Sequence, residues 1–185
     1  MKRVLCAILC SLGATPCLAQ RSTPVQVLHP AGAATDQFGQ AVAIDGDTMI
    51  VGARLDDVGA NGDQGSAHIY RWAGSGWVFE ATLTASNGAP GDNFGVSVAL
   101  FGNTAIVGAD QDDVGANFDQ GSAYVFTRTG TTWTQQAQLT APGGAVGDYF
   151  GTSVAVFGDT ALVGAPLDDV GPNFNQGSVY VFTRA

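Results

Sequence analysis

The chain has 185 residues with 16 acidic side chains against 7 basic ones, a formal net charge of −9. Such a surface lacks the basic stripe that phosphate binding needs, which argues against nucleic acid as a partner. Its three cysteines, Cys6, Cys10 and Cys17, all fall within the first 19 residues, so the chain beyond offers no disulfide, thiolate metal ligand or cysteine nucleophile.

Taken in order, Met1-Lys2-Arg3 is a basic start, and Val4 to Ala14 is an apolar run too short to span a bilayer. Cys17-Leu18-Ala19 sets small residues at the two positions a signal peptidase reads, which predicts a signal peptide over 1–19 and export to the periplasm or the medium, with no transmembrane anchor in the mature chain. Leu9 and Pro16, rather than a small residue, precede Cys10 and Cys17, so soluble release is expected over a lipid anchor. Without Lys2 and Arg3 the exported chain keeps five arginines and a net charge of −11. All its acids but Glu80 are Asp, a residue that bonds its own backbone in turns and also serves as a cation ligand.

From residue 25 onward the chain repeats. Asp36-Gln37-Phe38-Gly39 returns as Asp92-Asn93-Phe94-Gly95 and as Asp148-Tyr149-Phe150-Gly151, two steps of 56 residues. Val51-Gly52-Ala53, Gly65-Ser66, Trp77 and Leu83-Thr84-Ala85 keep the same register with Val107-Gly108-Ala109, Gly121-Ser122, Trp133 and Leu139-Thr140-Ala141. A period of this size, rich in Gly and β-formers and free of helical spacing, predicts an all-β repeat architecture.

Within the middle copy, Gly95 to Leu100 alternates larger and smaller side chains and reads as a strand. Gly102-Asn103 is a hairpin turn, as are Asp45-Gly46 and Gly158-Asp159, and Ala105 to Ala109 is the second strand. Gly121-Ser122 opens a third strand through Thr127, and Thr131 to Thr140 makes a fourth. Four hairpin-linked strands per unit make a propeller blade. The small Ser97, Ala99, Ser153 and Ala155 suit the crowded inner strand, and the Phe of each Phe-Gly pair is expected to fill the space between blades.

A Phe-Gly pair, a short strand, a turn and Val-Gly-Ala-(Pro) resembles the FG-GAP repeat of integrin α-chain propellers and of many bacterial secreted proteins. The third copy spells it most fully, with Phe150-Gly151 and Gly164-Ala165-Pro166, whereas Arg54 and Asp110 stand in place of the Pro in the others. The resemblance implies an all-β β-propeller of four-stranded blades, laid out as blade 1 over 36–91, blade 2 over 92–147 and blade 3 over 148–185. Val25 to His29 aligns with the fourth strand, and the last unit stops after its third, so a closing strand over 24–30 is expected to complete blade 3. Three blades fall short of the usual four to eight; a homodimer by strand exchange, making six, is favoured over a lone closed ring, with a shortened relative or fragment of a larger array as the further alternative.

The connection from second to third strand is about eleven residues, long for a hairpin loop. It carries Asp56, Asp57, Asn61 and Asp63 in the first copy, Asp112, Asp113, Asn117 and Asp119 in the second, and Asp168, Asp169, Asn173 and Asn175 in the third. Clustered carboxylates and amides suit a hard cation such as calcium, and they equally suit capping of their own turns. The Asp-x-Asp-x-Asp-Gly calcium run of integrin-like repeats has only the tight turns Asp45-Gly46-Asp47, Gly102-Asn103 and Gly158-Asp159 in its place here.

No catalytic residue is assigned. His68 stands where Tyr124 and Tyr180 stand in the other copies, no Gly-x-Ser-x-Gly occurs, and the mature chain has no Lys. A non-enzymatic extracellular protein-interaction or adhesion module is the expected function, with a glycan-binding lectin as the alternative because Trp72, Trp77 and Trp133 offer stacking faces.

Overall fold

The computed structural model describes residues 26–29 and 32–184, and every regular element within them is a β-strand. The expected signal peptide over 1–19 lies outside the described residues. The first sheet holds β1 (Phe38–Asp45), β2 (Thr48–Ala53), β3 (Ser66–Trp72) and β4 (Trp77–Leu83) in chain order. The second holds β5 (Ser97–Phe101), β6 (Thr104–Ala109), β7 (Ser122–Thr129) and β8 (Thr132–Leu139), and the third β9 (Ser153–Phe157), β10 (Thr160–Ala165) and β11 (Ser178–Thr183). Each strand pairs antiparallel with its chain neighbour, so every sheet is a meander.

Local chemistry explains why the units match. The β1–β2, β5–β6 and β9–β10 turns each place a glycine, Gly46, Gly102 or Gly158, at φ of 56–58° in the first central position, a conformation that costs a residue without Cβ nothing. A register shift falls at Ile69/Tyr70 in the first sheet and at its 56-residue equivalent, Val125/Phe126, in the second. This irregularity of the ladder recurs with the period.

The sheets pack face to face, closest along the inner strands β1, β5 and β9, while β4 and β8 barely meet. They therefore splay outward in a propeller-like arrangement, with no closed ring among the described residues. Two apolar layers form. Ile50, Ala67, Ile69 and Leu83 of the first sheet meet Phe94, Val98, Leu100, Tyr124 and Phe126 of the second. Ile106, Ala123 and Leu139 of the second meet Phe150, Val154, Val156, Val163 and Phe182 of the third. Phe94 and Phe150 are fully buried, as expected of Phe-Gly pairs that fill the space between blades.

The glycine beside each Phe lets the backbones meet. A Cβ on Gly52 would stand 2.0 Å from the Gly95 carbonyl oxygen, and one on Gly108 equally close to the Gly151 oxygen. No side chain fits there.

The expected closing strand over 24–30 is only partly described, because residues 24, 25 and 30 lie outside the described set. Its described part, 26–29, forms no strand, and the Gln26 side chain bonds the Trp77 main chain at the head of β4 (Nε2 to O 3.0 Å; N to Oε1 2.8 Å). Among the described residues the third sheet has three strands, in the order β11-β10-β9.

Candidate functional site

The three β2–β3, β6–β7 and β10–β11 connections are the acidic loops singled out from sequence, and antiparallel pairing puts all of them at the same end of their sheets. Each is a small rigid hairpin. Val58 and Asn61 exchange two backbone hydrogen bonds of 3.1 Å, and Val114–Asn117 and Val170–Asn173 do the same.

The loop side chains hold this shape. Asp57 Oδ1 accepts from the Asp63 amide at 2.9 Å, Asp113 from Asp119 at 3.0 Å, and Asp169 from Asn175 at 2.7 Å. The receiving residues Asp63, Asp119 and Asn175 sit at φ of 51–54°, a left-handed conformation that Asp and Asn tolerate better than other side chains. Asn61, Asn117 and Asn173 donate to the Gln64, Gln120 and Gln176 side chains, and the first two also reach Gly88 O and Gly144 O in the connection to the next sheet.

An aspartate near the start of each loop anchors it to the following strand. Asp112 Oδ2 accepts from the Tyr124 hydroxyl at 2.9 Å and from Gln138 at 2.8 Å, and Asp168 accepts from Tyr180 at 2.8 Å. Burial, then the adjacent carboxylate, raises both phenols, Tyr180 to about 12 and Tyr124 further. In the first sheet His68 replaces the tyrosine, and Asp56 instead accepts from Ser66, whose Oγ lies 3.0 Å from His68 Nε2.

Ser66, His68 and Asp56 bring together the residue types of a hydrolytic triad, but their arrangement is different. Ser66 is wholly buried and donates to Asp56, while the other imidazole nitrogen faces the Thr82 hydroxyl at 3.4 Å instead of a carboxylate. Desolvation lowers the His68 pKa and keeps the ring neutral, against the pull of Asp56 and Asp36. The cluster is the loop anchor in a second chemical form.

A second set of aspartates precedes each Phe-Gly pair. Asp36, Asp92 and Asp148 are buried and cap the turns before them, accepting from Ala33 N, Ala89 N and Ala145 N at 2.6–2.7 Å. Desolvation, with Asp112 and Asp113 nearby, pushes Asp92 up to about 6. These residues and Gln64, Gln120 and Gln176 were not among the sequence-derived candidates, although their recurrence at the 56-residue period marks them.

The matching FG-GAP repeat profile covers residues 26–70, 77–126 and 133–182, together most of the chain. The chain belongs to the FG-GAP repeat family. Each matched unit of this FG-GAP chain is offset from the sheets. The second unit runs from β4 through β7, so a family unit is a fourth strand followed by the three inner strands of the next sheet. No curated protein matches the chain.

Calcium, which the family's integrin relatives suggest, finds a poor fit in the FG-GAP turns. Asp47 is paired with Arg71 at 2.7 Å, and Asp45 accepts from the Gly102 amide at 2.6 Å. In the longer acidic loops the carboxylates serve backbone amides and hydroxyls, and among the described residues no three carboxylates or imidazoles converge as a cation would need. The loops carry rigidity and negative charge.

Proposed function

We propose that this FG-GAP protein is an exported, non-catalytic interaction or adhesion module whose loop end is the recognition surface. The observation that carries the reading is the same aspartate-to-amide hydrogen bond in all three acidic loops, which presents charge at fixed spacing with little entropy left to lose on binding. Phe118 and Phe174 stand exposed on the second and third loops, 66% and 85% accessible, as apolar anchors on loops that also carry carboxylates. Such a surface suits a protein partner with basic side chains around an apolar pocket. Among the described residues no helix is long and apolar enough to cross a membrane.

The lectin alternative rests on Trp72, which is 41% exposed and edge-packed on Trp77. Trp133 offers less, because Arg128 lies over its ring at 5.3 Å and its Nε1 donates to Glu80. A photo-crosslinking residue at Phe174, with a control at Asp159 on the hairpin end, tests both readings in the intact cell envelope. A discrete adduct from position 174 alone to a protein other than a second copy of this chain, weakened by salt, supports the protein-interaction reading. Signal on a glycan array without that adduct transfers the assignment to Trp72, and equal labelling from both positions sinks the loop-end surface.

A further inference from the structure

The chain forms its sheet-to-sheet junction twice and displays both halves of a third. At each junction the carbonyls of one acidic loop receive amides from the next unit. Gly62, Asp63 and Gln64 accept from Gly91, Asn93 and Phe94 at 2.9–3.3 Å, and Phe118, Asp119 and Gln120 accept from Gly147, Tyr149 and Phe150 at 2.8–3.2 Å. One period on, the acceptors are the Phe174, Asn175 and Gln176 carbonyls, and one period back the donors are the Thr35, Gln37 and Phe38 amides. These sets do not meet within the chain. Thr35 already holds φ 86°, matching 87° at Gly91 and 78° at Gly147, so the donor half is preformed despite a residue that disfavours this conformation.

The side chains repeat the pattern. Val98 and Leu100 are each 9% exposed beneath the first sheet, whereas their equivalents Val42 and Ile44 are 66% and 63% exposed. On the opposite face Ile106 is 1% and Ala123 0% exposed beneath the third sheet, whereas Leu162 and Val179 are 40% and 69% exposed, with Val181 beside them at 64%. Ser97 Oγ donates to the Gly151 carbonyl at 2.6 Å, and its equivalent, Ser153, stands at the open face. Two apolar faces of one array, each the equivalent of a face that is covered elsewhere in the chain, therefore stand open.

We propose that two copies of this chain join head to tail, the outer face of each third sheet packing on the outer face of the other's first sheet, to close a six-sheet ring. The two junctions are related by a two-fold axis, so closure satisfies both ends of both chains at once. Six blades fall within the range in which propellers close. Residues 26–29 then lie beside β11 of the second copy, in the fourth-strand position. The segment already touches the next sheet where a fourth strand would, since Gln26 bonds the main chain of Trp77, and the indole of its equivalent Trp133 donates to Glu80 of the preceding fourth strand β4. The apolar cleft of about 360 Å³ along Leu139, Val156 and Phe182, open where the third sheet lacks a fourth strand, receives its edge.

Light scattering on the exported protein, with V42D and V181D as probes, tests the ring. Wild type should give twice the mass of one chain. Both valines are exposed in the single chain, so each variant should keep its circular dichroism spectrum yet run as a monomer. Mixed in equal amounts, the two should recover a two-copy species, because one junction then joins two wild-type faces. Hydrogen exchange supplies a reading without variants, with the Gln37 and Phe38 amides slowing as concentration rises. A wild-type monomer, a mass that climbs past two copies, a dimeric V181D, or Gln37 and Phe38 exchange indifferent to concentration overturns the proposal, whatever the crosslinking at Phe174 shows.

Discussion

The middle sheet and the two end sheets carry nearly the same residues in nearly the same strands, and they differ in what covers them. Ile106 and Leu162 occupy equivalent places in β6 and β10, yet one is 1% exposed and the other 40%. Val98 and Val42 differ in the same way in β5 and β1. Strand formation here is a property of the unit, and burial is a property of its neighbours. In a repeat array each unit gains most of its stability from the sheets that flank it.

The largest expected contrast comes from the Phe-Gly aromatic. Phe94→Ala should cost about 3–5 kcal/mol, the usual range for emptying a closed aromatic site. Phe38→Ala, at an outer face, should cost clearly less by urea unfolding; equal losses would break the comparison.

Ile106→Ala should cost about 2–5 kcal/mol, and Leu162→Ala about 1 kcal/mol or less in dilute solution where single chains prevail. A Leu162→Ala cost that grows with protein concentration would show that a second copy covers the end sheet.

The loop anchors offer a finer contrast. Tyr124→Phe removes a fully buried hydroxyl from Asp112 and should cost about 1–3 kcal/mol, while Tyr180→Phe, in the half-buried third unit, should cost less.

Titration separates the sheets with a smaller effect. Asp92 is raised from 3.8 to about 6, so between those values the folded chain holds a proton that the unfolded chain has released. Stability from this group therefore falls as pH rises from about 4 to 6, and Asp92→Asn should flatten that slope in urea unfolding curves. His68 acts in the opposite sense. Its folded pKa lies below 6.5, so its contribution is full above 6.5 and is lost as pH falls toward the folded value, a loss that His68→Tyr should abolish. The smallest expected effect is that of calcium, whose addition or chelation should leave the melting temperature unmoved. A fall on chelation would assign a cation to the acidic loops.

Much of this protein was legible in its sequence because its information is local and written three times. Gly102 at a turn, the alternation through Val98 and Leu100, and Phe94 beside Gly95 each specify a conformation from nearest neighbours, and recurrence at 56 residues removes the ambiguity of any single copy. The loop residues were legible as a cluster but not as a mechanism. Asp57 can ligate a cation or cap an amide, and only the fold, by turning Asp63 to positive φ with its amide 2.9 Å away, shows that it caps the loop. The roles of Asp92 and Gln120 were likewise hidden, because each depends on a turn or loop whose form the local pattern leaves open.

By itself, then, the sequence determined the strands, their turns, the order of each meander and the family to which they belong, since all of these follow from short-range sterics and period-two burial. Tertiary structure alone decided which sheet faces are covered, that Gln26 bonds the head of β4 in the first sheet, and that the outer faces of the first and third sheets expose apolar side chains. Those properties depend on contacts between residues a full period or more apart, where similar side chains meet a neighbouring sheet in one unit and solvent in another.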